Sequence, residues 1–331
     1  MKFREIKVSD EASAQMDIEI RQGRLSSGPF IEKLEREFKD RIGSKYPVAV
    51  GSGTMALKIA LDAIVCPGDY VIVPDITFVA CTNVIQELGC EPVYVDVDSK
   101  TYMLNEQSVK KAMEKYPKIA AIMAVRLAGE EIPDWVYYLG IPVLVDSAHS
   151  MAKHDSRAQA TCYSFYPTKI VSGIEGGMIA TNSEGMAKKY RVLRSFGFTE
   201  GTRIAQEVGY KGNMTNISAC LIYYNLRDLG ANLTRRKEIR DTYNKAFGLK
   251  RTGLGMYLVE VDNPDEVCDL IPAIRHYPMV LSEMFGEEVH TLNAKMIVQK
   301  LISLPFHEHL VDNDVKEVCA TILERLKLKK I

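Results

Sequence analysis

The period of apolar and polar positions changes in a regular way along the chain. From Phe30 to Ile42 (FIEKLEREFKDRI) apolar residues fall at 30, 31, 34, 38 and 42, the spacing of one helical face. Residues 47–50 read as a short strand running into GSGT, and 55–64 as a helix. YVIV at 70–73 predicts a strand, 78–87 a helix, 92–97 a strand and 108–114 a helix. Two uniformly apolar runs, IAAIMAV at 119–125 and IPVLV at 141–145, predict strands buried on both faces. Such alternation indicates parallel βαβ units and an α/β fold class with helices on both sheet faces. Ligands of such sheets sit at the carboxyl ends of the strands. The informative residues should therefore follow strands, as GSGT at 51–54, Thr77, Phe78, Asp146 and Lys169 do.

The flanks differ from this middle. Residues 1–25 are polar and read as an arm with one helix. Residues 218–240, with the basic stretch RRKEIR, read as one long helical segment linking to a second domain. The remainder mixes short strands with a closing helix over about 314–329, whose LERLKLKK run reads as a solvated face. The division expected is an arm at 1–25, a large domain at 26–230 and a smaller domain at 231–331.

Composition narrows the function classes. The 331 residues suffice for about two domains. Lys+Arg 42 against Asp+Glu 43 leaves a formal charge of -1, which gives no support to a nucleic-acid or membrane-surface partner. The opening MKFREIKVSDEASAQMD carries charges throughout and no apolar signal core, and no apolar run approaches the roughly 20 residues that span a bilayer. The seven cysteines are scattered and none forms a CxxC, so no disulfide framework or zinc site is expected and a reducing cytoplasm fits.

Four features carry chemistry. GSGTMAL at 51–57 is a strand–turn–helix junction whose free N–H groups suit an anion; alone it is equally an ordinary capped helix. In VLVDSAHS, Asp146 ends a strand and His149 follows; alone the aspartate could be a plain helix cap, and an Asp–His metal pair lacks further ligands, His154 being one only on paper. In SFYPTK, followed by EGGMIAT, Lys169 sits in apolar, Gly-rich surroundings, where desolvation lowers a lysine's pKa and makes it nucleophilic. GYKGNMTN at 209–216 puts Lys211 and Asn213 in a loop, where a turn is the bland reading. Together, an anion-binding helix start, a strand-end acid and a later lysine form the order expected for pyridoxal 5′-phosphate (PLP). That cofactor needs an amine, a carboxylate for its ring nitrogen and donors around a dianionic phosphate.

These segments resemble the DegT-type sugar-nucleotide aminotransferases, PLP enzymes of fold type I in the aspartate aminotransferase superfamily. LSSGPFIEKLEREF, VGSGTMALKIAL, CPGDYVIVPDITFVACTNVI, CEPVYVDVD, VDSAHS, CYSFYPTK, GIEGGMIAT, GYKGNMTNISA and LPFHEHL follow in family order. The resemblance implies a large α/β/α domain with a mostly parallel sheet plus a smaller C-terminal α+β domain. It implies that Lys169 is the Schiff-base lysine and proton shuttle, that Asp146 partners the pyridine nitrogen, and that Phe78 stacks on the ring. It gives Thr54, Ser164 and the backbone amides of Gly53, Thr54 and Met55 to the phosphate, sets His149 beside the cofactor, and lets Asn213 reach the phosphate of a neighbouring subunit. It places Arg275, His276 and Tyr277 toward the substrate. The implied activity is amination of a keto-sugar nucleotide by an amino acid, with L-glutamate the expected donor and pyridoxamine phosphate formed during the cycle. The implied setting is amino-sugar biosynthesis for cell-surface polysaccharide by a cytoplasmic homodimer or tetramer with shared sites. The alternatives are a PLP-dependent sugar dehydratase, against which Lys169 speaks, and a non-catalytic regulatory or accessory homologue. The sequence departs from the family pattern at Arg126, where His is usual, and in shortened loops before and after Asp146 and after Leu254.

Overall fold

The computed structural model describes residues 1–116, 118–199 and 201–325. In chain order the elements are α1 (Asp10–Arg21), α2 (Phe30–Ile42), β1 (Tyr46–Val50), α3 (Gly53–Asp62), β2 (Tyr70–Pro74), α4 (Ala80–Glu87), β3 (Glu91–Val95), α5 (Glu106–Lys115), β4 (Ile119–Val125), β5 (Val143–Asp146), β6 (Ala160–Ser164), β7 (Gly177–Thr181), α6 (Glu184–Arg194), α7 (Asn216–Arg227) and α8 (Leu229–Phe247). A C-terminal part follows with β8 (Tyr257–Glu260), α9 (Pro264–Leu270), α10 (Leu281–Met284), α11 (Leu292–Val298), β9 (Leu301–Leu304) and α12 (Asp312–Arg325).

The seven strands of the large sheet run in the order β1-β7-β6-β5-β4-β2-β3. Neighbours from β3 through β6 pair in parallel, and β7 runs antiparallel to both β6 and β1. Alternate strand residues feed opposite cores, as a period of two requires. Val71, Val73, Leu144 and Cys162 pack with α3, α4 and α6. Ile72, Val143 and Val145 pack on the other face with Val109 of α5. Tyr163 and Met178 pack there with Leu34 and Phe38 of α2 and Ala219 of α7. The chain is thus a large α/β/α domain with a mostly parallel sheet and a smaller α+β C-terminal domain built on the antiparallel pair β8 and β9.

Two features differ from the sequence reading. Residues 218–240 are not one helix: Asp228, near φ -84° and ψ -1°, closes α7 and opens α8. β6 and β7 carry no strand signal in sequence: ATCYS and GMIAT are short, rich in small residues and buried on both faces, so neither β-branched content nor alternation marks them. α8 then passes from one core to the other: Leu229 packs in the large domain, and Ile239, Tyr243 and Phe247 in the C-terminal one. The expected closing helix is described as far as Arg325, and the rest of the basic run lies outside the described residues. Among the described residues no helix is long and apolar enough to cross a membrane.

Candidate active site

A cavity of about 770 Å³ lies at the carboxyl ends of β1, β2, β4, β5 and β6. Its wall includes Gly53, Thr54, Phe78, Asp146, His149, Ser164, Lys169, His276 and Tyr277, brought together from across the sequence. Lys169 sits in the connection between the antiparallel neighbours β6 and β7, which returns the chain over the strand ends.

The start of α3 forms one end of the site. Ser52 caps the helix, its hydroxyl accepting from the Met55 N–H at 3.1 Å. This leaves the Gly53 and Thr54 N–H groups without an intrahelical acceptor at the positive end of the helix. Glycine is needed at 53 because a Cβ there would stand 2.7 Å from Cβ of Ser164 and 3.0 Å from its hydroxyl. The Ser164 hydroxyl therefore joins the two amides as a third donor.

The opposite end is acidic and buried. Asp146 is 6% exposed; its Oδ1 accepts from the Ala148 N–H at 2.9 Å and its Oδ2 from the Cys81 thiol at 3.2 Å. Burial raises its pKa, opposed by the Ala148 and Cys81 hydrogen bonds and by the Lys169 charge. Tyr277 is buried, and burial, with Asp146 and Cys81, pushes its phenol up. Burial lowers the Lys169 pKa, Asp146 opposing and Arg4 assisting. Burial also holds His149 well below the usual imidazole range, as do Lys169, His276 and Arg4, so its ring is neutral. Gly129 and Gly255 close over His149: a Cβ on Gly255 would lie 1.8 Å from its carbonyl oxygen.

Two expected residues stand elsewhere. The Met55 amide is taken by Ser52, and its side chain packs on Gly212 rather than lining the cavity. Arg275 is also outside the wall and pairs with Asp265 at 3.1 Å. Asn213 is exposed, outside its own chain's cavity, and accepts from the Ser195 hydroxyl at 3.2 Å. Arg126, at the departure from the family pattern, points behind the site. It donates to the Ser147 hydroxyl and the Lys153 carbonyl, both at 3.3 Å, and so pins the loop after Asp146. His154 is buried apart, with Nδ1 2.9 Å from the Thr161 hydroxyl. Sequence reasoning missed Phe3, Arg4 and Cys81; the arm residues carry no local signal, and Cys81 lies just beyond Phe78 with no motif of its own.

These residues fit PLP. Asp146 is a buried carboxylate with no ion pair among the described residues, the partner a protonated ring nitrogen would supply. Phe78 is a large aromatic left 60% exposed on the wall. The α3 start and Ser164 offer donors to a phosphate. Residues 7–263 match the DegT/DnrJ/EryC1/StrS aminotransferase family. The chain belongs to this family. The family assignment agrees with whole-chain similarities. The chain is 28% identical to a UDP-2-acetamido-2-deoxy-3-oxo-D-glucuronate aminotransferase of Pseudomonas aeruginosa, with 97% of this chain and 98% of that protein covered. It is 30% identical to the spore coat polysaccharide biosynthesis protein SpsC of Bacillus subtilis, with 93% and 92% covered. It superposes on the Streptococcus pneumoniae protein Spr1654 in its PMP form with a TM-score of 0.87 at 25% identity, covering 97% of this chain and 96% of that one; the same protein is also solved in a PLP form.

Proposed function

We propose that this family member is a working PLP-dependent aminotransferase that aminates a keto-sugar nucleotide, with an amino acid, L-glutamate in the first instance, as donor. The observation that carries the reading is the convergence of Lys169 and Asp146 on one cavity with an unpartnered Phe78 between the strand ends. The relatives support the substrate class: the Pseudomonas aeruginosa protein acts on a UDP-linked keto sugar acid, and the Bacillus subtilis one serves polysaccharide biosynthesis.

When bound, PLP supplies an electron-withdrawing ring that makes the donor's Cα–H acidic. The chain's own residues do the rest. Asp146, held at both oxygens by Cys81 and Ala148, keeps the proton on the ring nitrogen. The Gly53 and Thr54 amides and the Ser164 hydroxyl would hold the phosphate, and the exposed Phe78 ring would pack on the cofactor. Lys169 Nζ, its pKa lowered by burial, is free to be deprotonated and to carry the proton away from Cα of the donor. His149, on the cavity wall and held below the usual imidazole range by burial, adds no charge beside the cofactor. Asn213, outside its own cavity, is assigned to the phosphate of the partner subunit.

The acceptor class is testable by kinetics. With a formal charge of -1, the chain offers no general attraction to anions, so remote binding energy must come from local contacts to the nucleotide. The nucleotide-linked keto sugar should exceed the free keto sugar in kcat/KM by about a hundredfold or more, a binding difference of about 2.7 kcal/mol. Equal values for both would point to another acceptor.

A further inference from the structure

The first residues are polar in sequence, yet they are built into the cavity wall. His307 Nε2 lies 3.2 Å from the Lys2 carbonyl. Phe3 packs on the His276 ring with centroids 5.5 Å apart. Arg4 Nη1 donates to the Phe306 carbonyl at 3.2 Å, and Nη2 to the carbonyl of Lys169 itself at 2.5 Å. The arm thus straps the C-terminal segments to the loop that carries the reactive lysine.

Arg4 is half-buried and lines the cavity. Among the described residues no carboxylate lies within ion-pair distance of it. The acid with most influence on it, Glu308, is already held by the buried Arg236 at 2.7 Å. Around it the cavity offers another cation, Lys169, and His149, an imidazole held neutral. Of the two carboxylates on the wall, Asp146 is engaged by Cys81 and Ala148, and Glu175 is exposed. A desolvated guanidinium without a counter-charge is costly unless an anion joins it. Burial and the Arg236 charge pull its pKa down to about 9, a penalty that a bound carboxylate would reverse. Two of its five N–H donors are used, which leaves three for a carboxylate.

We propose that Arg4, delivered by the N-terminal arm, binds the α-carboxylate of the amino donor. The inference rests on the aminotransferase reading. In an amino acid the α-carboxylate is bonded to the carbon that bears the reacting amine, so its receptor must stand close to the amine that is displaced. Arg4 is tied to the backbone of that lysine. The Phe306 and Lys169 carbonyls fix the plane of the fork, so an amino acid is oriented while a simple amine is not.

The probe is glutarate, a dicarboxylate that lacks the amine, titrated calorimetrically against the full chain loaded with PLP. Borohydride treatment followed by mass spectrometry reports separately whether cofactor is fixed at Lys169. Arg4→Gln should weaken glutarate about thirtyfold or more, and Arg4→Lys by less, since charge is kept and the fork is lost. Arg4→Gln should still fix PLP at Lys169, and should raise KM for glutamate far more than it lowers kcat. Glutarate affinity unchanged within about threefold in Arg4→Gln overturns the proposal, as does a wild-type chain that fixes PLP and binds no glutarate. Loss of fixation in Arg4→Gln also overturns it, because Arg4 would then act through Lys169. Failure of the aminotransferase reading shows elsewhere: no cofactor mass on Lys169 of the wild type, which removes the proposal with it.

Discussion

At the end of β5, Asp146 has both carboxylate oxygens held by weak or neutral donors, the Cys81 thiol and the Ala148 amide. Neither neutralises a buried charge, which is why burial dominates and raises its pKa. A protonated ring nitrogen would reverse that sign by favouring the carboxylate. Asp146→Asn keeps the shape and can still accept from one of these donors, but it carries no charge to hold the ring proton. We expect at least about a hundredfold loss of kcat, roughly 3 kcal/mol on the barrier, with the melting temperature little changed. A loss below about threefold would remove Asp146 from the mechanism. Asp146 is legible in sequence because it closes a strand, where topology aims side chains at the ligand edge, and Lys169 because SFYPTK before EGGMIAT sets it in apolar, Gly-rich surroundings. Arg4 is not, because its partners Lys169 and Phe306 lie 165 and 302 positions away. Met55 misled for a different reason: the sequence shows a helix start but not which amide its Ser52 cap consumes.

Among the elements, the end of β2 has a second task besides presenting Thr77 and Phe78. Asp75 is fully buried and accepts from the Ser282 N–H at 2.6 Å, from the Ser282 hydroxyl at 2.7 Å and from the Thr291 hydroxyl. Its own carbonyl accepts from the Leu281 N–H at 3.0 Å. The carboxylate therefore clamps the segment after Tyr277, with α10 and the start of α11, against the large sheet. Asp75→Ala leaves three buried donors without an acceptor. Unfolding in urea should show a loss of about 3 kcal/mol or more. A loss under about 0.5 kcal/mol would mean that water or neighbouring groups satisfy those donors and that the clamp is not structural. The helices α2 to α5 and strands β1 to β5 were legible because apolar spacing there is clean; β6, β7 and the break at Asp228 were not, because small residues and a single turn position leave no periodic trace.

For the whole molecule, the exposed position of Asn213 bears on assembly. If it serves the partner's phosphate, Asn213→Asp and Lys169→Ala should complement each other. Random reassembly of an equal mixture makes about half the dimers mixed, and each mixed dimer holds one intact site, so activity should return to roughly a quarter of wild type. No return, with subunit exchange confirmed by mass, would assign Asn213 to its own chain. The central claim, that Lys169 and Asp146 support amino transfer, is tested most directly by one half-reaction. Full-length chain loaded with PLP is mixed with excess L-glutamate and no acceptor, and 2-oxoglutarate is counted against protein. The account predicts about one 2-oxoglutarate per active chain, with the visible absorbance of bound PLP lost in step, and none from Lys169→Ala. A wild-type chain that holds PLP on Lys169, shown by borohydride fixation, yet releases no keto acid from glutamate or any other amino acid would contradict it.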